Sequence, residues 1–114
     1  MTASGFAAQL AQDLDPEDLR MVLGVFGQDV ARLTRVLGGN FADADVDGFR
    51  RTCHALAGAA GAVEATALEE ACRDAMTRTD LALTDLAAVL ADIRVRGAVA
   101  LQDMEAFLAN LPRG

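Results

Sequence analysis

Lysine, tryptophan and tyrosine are absent from this chain of 114 residues, and all ten basic residues are arginine. Without an amine side chain the protein cannot carry a Walker-type phosphate-binding lysine, a Schiff base or a lysine general base, so several classes of enzyme are excluded. Aromatic residues make up only 4% of the chain, whereas 24 residues are alanine. This composition indicates helices that pack through small side chains.

Cysteine and histidine are nearly as scarce. Cys53 and Cys72 are too few for a disulfide framework, and the single histidine, His54, does not complete a structural zinc site with them. We therefore expect a reduced, intracellular protein without a bound metal, in which the two thiols are small core residues.

Positive charge and long apolar runs are also lacking. Seventeen acidic residues against ten basic ones give a formal charge of −7, the wrong sign for a protein that binds phosphate backbones. The uncharged stretch around residues 55–63 is far shorter than the roughly 20 apolar residues of a membrane span, and the amino terminus lacks the layout of a secretory signal. We expect a cytoplasmic protein that binds neither nucleic acid nor membrane.

Apolar residues recur at helical spacing along the whole chain, and no segment alternates as a strand does, so the sequence predicts an all-α protein. A short first helix is expected to stop near Asp15, because a residue before proline avoids helical geometry. The second helix begins at Pro16, with Asp15 as its N-cap, and is expected to end at Gly38 and Gly39.

Three further helices follow. The third is expected to start among Asp43, Asp45 and Asp47 and to run to about Gly61, and the fourth to start near Thr66. A long fifth helix carries Gly97 as a weak or bent point. Its predicted buried side consists of Leu86, Leu90, Ile93, Leu101, Met104, Leu108 and Leu111. Since the connections are short, the economical architecture for residues 1–114 is one domain, an antiparallel up-and-down four-helix bundle with a short extra N-terminal helix.

His54 lies about 100° around the third helix from Cys53, which belongs to the apolar stripe, so the imidazole is expected to point away from the core. The neighbouring positions on that face carry charged or very small residues: Arg50, Arg51, Ala57, Gly58 and, one turn further on, Gly61. Each glycine inside a helix costs roughly 1 kcal/mol relative to alanine. One reason to retain two of them is to let another surface approach the histidine closely.

The stretch from His54 to Cys72 resembles the signature of histidine-containing phosphotransfer (HPt) domains. The matching positions, which follow without a gap, are His54, Leu56, Gly58, Ala65, Leu68 and Cys72. The resemblance implies a five-helix bundle in which His54 is the phosphoacceptor of a bacterial-type two-component phosphorelay. It also implies that the partners are response-regulator receiver domains and a hybrid histidine kinase, that magnesium belongs to the receiver, and that this chain has no cofactor, ATP site or autokinase activity.

Three positions depart from the family pattern. Ala57 replaces a lysine, Glu64 a glycine and Met76 an acidic residue. Without the lysine, the positive charge near a phosphoryl group on His54 has to come from elsewhere. Arg50 and Arg51 share the face but lean away from His54, whereas antiparallel packing brings residues 72–76 level with it, so Arg73 is a further candidate.

Two alternatives remain open from the sequence. The chain can be a degenerate HPt-like module that binds a receiver or kinase domain without carrying phosphate, or an ordinary helical bundle whose resemblance is accidental. A thiol nucleophile activated by its neighbouring base is excluded, because Cys53 and His54 point in directions about 100° apart. A monomer is expected, since a complete bundle needs no partner to close its core.

Overall fold

The computed structural model describes residues 5–78 and 83–112, and every regular element in these ranges is an α-helix. The helices are α1 (Ala8–Asp13), α2 (Pro16–Ala42), α3 (Val46–Ala62), α4 (Thr66–Thr77) and α5 (Leu83–Ala109). The all-α prediction and the five-helix layout are confirmed.

The four longer helices form an antiparallel bundle. Helix α3 packs between α2 and α4, and α5 packs against α2 and α4 from the other side, so α3 and α5 occupy opposite corners. The short α1 lies against α2. This arrangement gives α3 and α5 outer faces that point in opposite directions.

Helix α2 starts as predicted and ends later than predicted. Asp15 caps it by accepting a hydrogen bond from the backbone N–H of Asp18. The helix then runs through Gly38 and Gly39 to Ala42, and the chain turns only at Ala44, whose φ is 56°. Glycine weakens a helix without stopping it, and the missing side chain of Gly38 leaves space that the guanidinium of Arg94 occupies on α5. The predicted end at Gly38 and Gly39 is therefore wrong.

Helix α3 is fixed at its start by side chains. Asp45 is the N-cap and accepts from the backbone N–H of Gly48 at 2.8 Å. The hydroxyl of buried Thr52 lies 2.9 Å from both Asn40 Oδ1 on α2 and the Gly48 carbonyl, and its single proton is donated to one of them. This polar contact sets how α3 lies along α2.

The core contains the two thiols. Cys53 and Cys72 are fully buried and face each other across the α3–α4 hairpin, as predicted. The hydrogen bond between them and their burial raise the pKa of Cys72 far above its usual value of 9.0. Cys72 therefore stays protonated in the folded protein, and burial keeps both thiols away from solvent.

Helix α5 passes through Gly97 without interruption, so the predicted weak point does not break it. Gly97 is buried, and a β-carbon placed there would lie 3.5 Å from Val30 Cγ1 on α2. The predicted buried positions Leu86, Leu90 and Ile93 are buried, whereas the later ones are only half-buried, namely Leu101, Met104, Leu108 and Leu111.

The amino-terminal segment closes the bundle beside α2 and α5. The ring of Phe6 meets those of Phe26 and Phe107 edge-on, with centroids 6.0 and 6.1 Å apart. The backbone N–H of Ala7 donates to the Val63 carbonyl at 2.7 Å, so this segment is tied to the turn between α3 and α4.

Candidate functional site

His54 lies on the outer face of α3 and is exposed. Its neighbours Cys53 and Leu56 are fully buried on the other side of the same helix. Within residues 5–78 and 83–112, no group forms a hydrogen bond or ion pair with the imidazole. Both ring nitrogens are therefore accessible to a group that approaches from solvent.

The two glycines that follow His54 have different surroundings. A β-carbon at Gly58 would meet nothing within 4 Å, so this position, one turn from His54, is an open part of the surface. At Gly61 a β-carbon would lie 2.8 Å from Glu69 Oε2 on α4. Gly58 is bare toward solvent, whereas the absence of a side chain at Gly61 accommodates Glu69.

Ala57 is not on the exposed face where the sequence interpretation placed it. Its side chain is 1% exposed and belongs to the apolar core. The reason is that position 57 lies only about 40° around the helix from buried Cys53. Ala57 therefore offers neither charge nor contact surface beside His54.

Arg50 is directed toward the end of α4. Its Nη2 donates a hydrogen bond to the backbone carbonyl of Arg78, the C-cap of that helix. A cation at this position stabilises the negative end of the helix dipole. The Nε atom of Arg50 is buried without a hydrogen-bond partner. The guanidinium of Arg50 is thus held within the fold, where it forms a structural contact between α3 and α4.

Arg73 lies on the outer side of α4, but it is already paired. Its Nη2 is 2.7 Å from Glu69 Oε2, one turn closer to the start of α4. Gly61 on α3 and Glu69 on α4 are neighbours, and this contact defines the antiparallel register of the two helices. In this register His54 lies level with about residue 76, and Arg73 lies nearer the level of Ala57. The pairing directs Arg73 away from the level of His54.

Arg51 has no such partner. It is exposed one turn before His54, and it forms no hydrogen bond or ion pair with the part of the chain that the structure describes. Of the three arginines that the sequence analysis singled out, Arg51 keeps its charge available to a visiting surface.

Two residues near the site were not among the sequence-predicted ones. Glu69 contacts both Arg73 and the space at Gly61, and its four-residue spacing from Arg73 is the sequence signal that predicts this pair. Met76, which departs from the family pattern, is half-buried and lies level with His54, at the end of the range 72–76 that antiparallel packing predicts to lie there.

The site is a helix surface and not a cavity. A cavity of about 400 Å³ at the start of α4 is lined by residues of α4 and α5, including Thr66, Arg96 and Asp103, and does not include His54. Because His54 lies on an open helix surface, another protein can reach it, whereas this surface cannot enclose a small substrate. In the described ranges no three histidine, cysteine or acidic side chains are grouped as metal ligands.

Comparison with protein-family models matches residues 21–111 to the Hpt domain. Because this match covers most of the chain, the protein belongs to the Hpt domain family. Neither the curated proteins nor the solved structures include a match to the chain. The family is that of histidine phosphotransfer in two-component phosphorelays, and the accidental-resemblance alternative is therefore excluded. None of the described helices is long and apolar enough to cross a membrane.

Proposed function

We propose that this protein is a phosphocarrier that moves a phosphoryl group between the aspartates of two receiver domains, with His54 as the phosphoacceptor. The observation that carries this proposal is the exposed imidazole of His54 beside the open surface at Gly58, on a chain of the Hpt family. Its nitrogens have no partner in the described structure, so no internal contact has to break before they react.

The reaction needs little from this chain. A neutral imidazole has one ring nitrogen with a free lone pair. Nε2, the nitrogen farther from the backbone, attacks the phosphorus of an aspartyl phosphate in line. The N–P bond forms while the P–O bond to the aspartyl group breaks, its electron pair leaves with the carboxylate, and the Nδ1 proton passes to water. The return step onto a second receiver reverses these changes.

Positioning and charge neutralisation dominate phosphoryl transfer. The bare surface at Gly58 allows a receiver to approach the helix, and Arg51 supplies a positive charge that is not paired within the described structure. Magnesium and the acidic pocket are assigned to the receiver partner. No ATP-binding element is expected here, so the chain acts as a carrier and not as a kinase.

The experiment is transfer from a receiver domain that carries labelled aspartyl phosphate, with magnesium present. Label is expected on this chain, in an acid-labile form stable to alkali. The variant His54→Gln removes the nucleophile while keeping an exposed polar side chain, so it is expected to remain folded by circular dichroism and to accept no label. Label on the His54→Gln variant would contradict the assignment.

A second function is favoured by one observation, namely the lack of a cation held beside His54. Ala57 is buried, Arg50 contacts the end of α4 and Arg73 is paired with Glu69. A module that binds a receiver or kinase domain without carrying phosphate would have this arrangement. The same experiment separates the two functions, because such a module binds the receiver stably and acquires no label.

A further inference from the structure

The outer face of α5 carries two large apolar side chains in solvent. Val95 is 63% exposed and Val99 is 48% exposed, one turn apart. Most other exposed residues of this face are uncharged, and the exception is Asp92, which is paired with Arg96 at 3.0 Å. The uncharged ones are Ala88, Ala91, Ala98, Gln102, Ala106 and Ala109. A surface helix normally presents charged residues to water on the face opposite the core. An apolar outer face along this helix indicates a surface that another element covers.

Charged residues border this face on both sides. On the side of α2, Arg94 lies over Gly38, and Glu105 follows Arg94 after three helical turns. On the side of α4, Arg96 donates to the Ala67 carbonyl, and Asp103 follows Arg96 after two turns. In both of these pairs the cation lies toward the start of α5 and the anion toward its end. The side of α4 also carries Asp92, whose charge is paired with Arg96 within one copy.

The two borders share one centre. The midpoint between Arg94 and Glu105 and the midpoint between Arg96 and Asp103 both fall between Val99 and Ala100. When two α5 helices pack antiparallel about a twofold axis through that point, each cation lies opposite the anion of the same border on the other copy. The apolar faces then cover each other, with Val99 nearest the axis.

Most of these charges are unpaired within a single copy. Arg94, Asp103 and Glu105 form no hydrogen bond or ion pair with the described part of the chain, whereas Arg96 already contacts Asp92 and the Ala67 carbonyl. The charge pattern is thus complementary to itself, and two copies packed in this way form new ion pairs mainly on the side of α2.

We propose that the outer face of α5 binds a second copy of this chain, antiparallel and centred between Val99 and Ala100. The charges match this face to itself, which is why the occupant is another copy and not a different protein. One helix face per copy buries less than the roughly 800 Å² per partner of a standard stable interface, so the dimer is weak and concentration-dependent. Because α3 is at the opposite corner, both copies of His54 stay accessible.

The test is sedimentation velocity on the whole chain over a wide range of concentration. The unmodified protein is expected to pass from monomer to dimer, and Val95→Asp to remain a monomer throughout. Val25→Asp is the matched control, because Val25 is 56% exposed on α2, outside this face, and its substitution is expected to leave the dimer intact. A monomer at every concentration would overturn the proposal, as would a dimer that tolerates Val95→Asp.

Charge exchange tests the register. Arg94→Glu and Glu105→Arg are each expected to weaken the dimer severalfold, and the double variant to restore it, since position 94 of one copy again faces an opposite charge at position 105 of the other. If the double variant dimerises no better than the single ones, this antiparallel register is wrong. Phosphoryl transfer to His54 is expected to be the same in all these variants, so the outcome is separate from that of the proposed function.

Discussion

Arg73 and Glu69 form an ion pair along the outer side of α4, in which Nε and Nη2 of Arg73 lie 2.8 and 2.7 Å from the same carboxylate oxygen. The pair directs the guanidinium back toward the start of α4, and the same Glu69 carboxylate lies at the space beside Gly61. Arg73 therefore has to leave Glu69 before it can contact a phosphoryl group on His54.

Because of this pairing, substitutions of Arg73 and of Glu69 are expected to have unequal effects on the rate of phosphoryl transfer to His54. Arg73→Ala is expected to change the rate by less than about twofold, because exposed ion interactions are weak. Glu69→Ala is expected to raise the rate by about twofold to threefold, since it frees the cation and removes a negative charge near an anionic group. The measurement is the initial rate of labelling by a phosphorylated receiver.

The double variant Glu69→Ala with Arg73→Ala is the control, and it is expected to lose the gain. A large loss of rate or of phosphohistidine lifetime in Arg73→Ala alone would show instead that Arg73 contacts the phosphoryl group despite its pairing.

The open surface at Gly58 predicts that stability and transfer change in opposite directions. Gly58→Ala adds a methyl group that meets nothing in this chain and replaces glycine inside a helix, so the free energy of unfolding is expected to rise by about 1 kcal/mol. Transfer is expected to fall, and Gly58→Leu to lower it further, because the added atoms occupy space used by the receiver.

Gly24→Ala on α2 is the matched control, since a β-carbon there also meets nothing within 4 Å. Gly24→Ala is expected to raise the free energy of unfolding by the same amount as Gly58→Ala, without loss of transfer. If Gly58→Leu transfers as fast as the unmodified protein, receivers do not dock over this position.

Glu64 combines backbone strain with a capping contact. Its φ is 59°, a conformation that costs a residue with a side chain about 1 kcal/mol, and its Oε1 accepts a hydrogen bond from the backbone N–H of Gln9 at 2.6 Å. Because α1 has no cap of its own, this carboxylate holds the start of that helix. The family glycine at this position would lack that contact.

Chemical denaturation of three variants separates the two effects at position 64. Glu64→Ala keeps the strain and loses the cap, so it is expected to destabilise by about 1 kcal/mol. Glu64→Gly loses both, so its net change is expected to be close to zero. Ala44→Gly is the control for strain alone, because Ala44 has a φ of 56° and an exposed side chain, and it is expected to stabilise by up to about 1 kcal/mol. A Glu64→Ala variant as stable as the unmodified protein would contradict the capping role.

Gly97 predicts a stabilising substitution in the core. A β-carbon there would lie in ordinary contact with Val30, at 3.5 Å, and alanine is preferred to glycine inside a helix. Gly97→Ala is therefore expected to raise the free energy of unfolding by about 1 kcal/mol, as measured by urea denaturation. Gly27→Ala is the comparison, because its β-carbon would lie only 3.2 Å from Met104 Cε and the gain is expected to be smaller. A destabilised Gly97→Ala variant would show that α2 and α5 cannot admit a methyl group here.

The buried thiols predict the alkaline stability of the protein. The pKa of Cys72 is raised in the folded state above its usual value of 9.0, so folding favours the protonated thiol. This contribution is fully present below pH 9 and is lost as the pH rises, because the unfolded chain then releases a proton that the folded chain keeps. The free energy of unfolding is expected to fall by about 1.4 kcal/mol per pH unit above pH 9 for one such thiol.

A loss of stability near pH 10 can be assigned to the thiols, because the sequence has neither lysine nor tyrosine, the residues that otherwise titrate near this pH. The double variant Cys53→Ala with Cys72→Ala is expected to be less stable at neutral pH and to show a flatter dependence between pH 9 and 11, because it has no buried thiol. An equally steep decline in that variant would place the alkaline transition elsewhere.

Much of the fold follows from local patterns in the sequence. The start of α2 was predicted from Asp15 and Pro16, and the start of α4 at Thr66 agrees with the structure, because caps and apolar spacing act within one or two turns. The end of α2 was missed, since Gly38 permits a turn but does not impose one. In the folded protein the space beside Gly38 is occupied by Arg94, which is distant in the sequence.

The surroundings of His54 show the same division. The sequence by itself determined the helical fold, the exposed side of His54 and the opposed thiols, because a helix of fixed pitch converts residue spacing into direction. Only the tertiary structure decided that Arg50 contacts the end of α4 and that Glu69 fills the space at Gly61. The physical reason is that the contacts of a long charged side chain with another helix depend on the register of the neighbouring helices, which spacing along one helix does not contain.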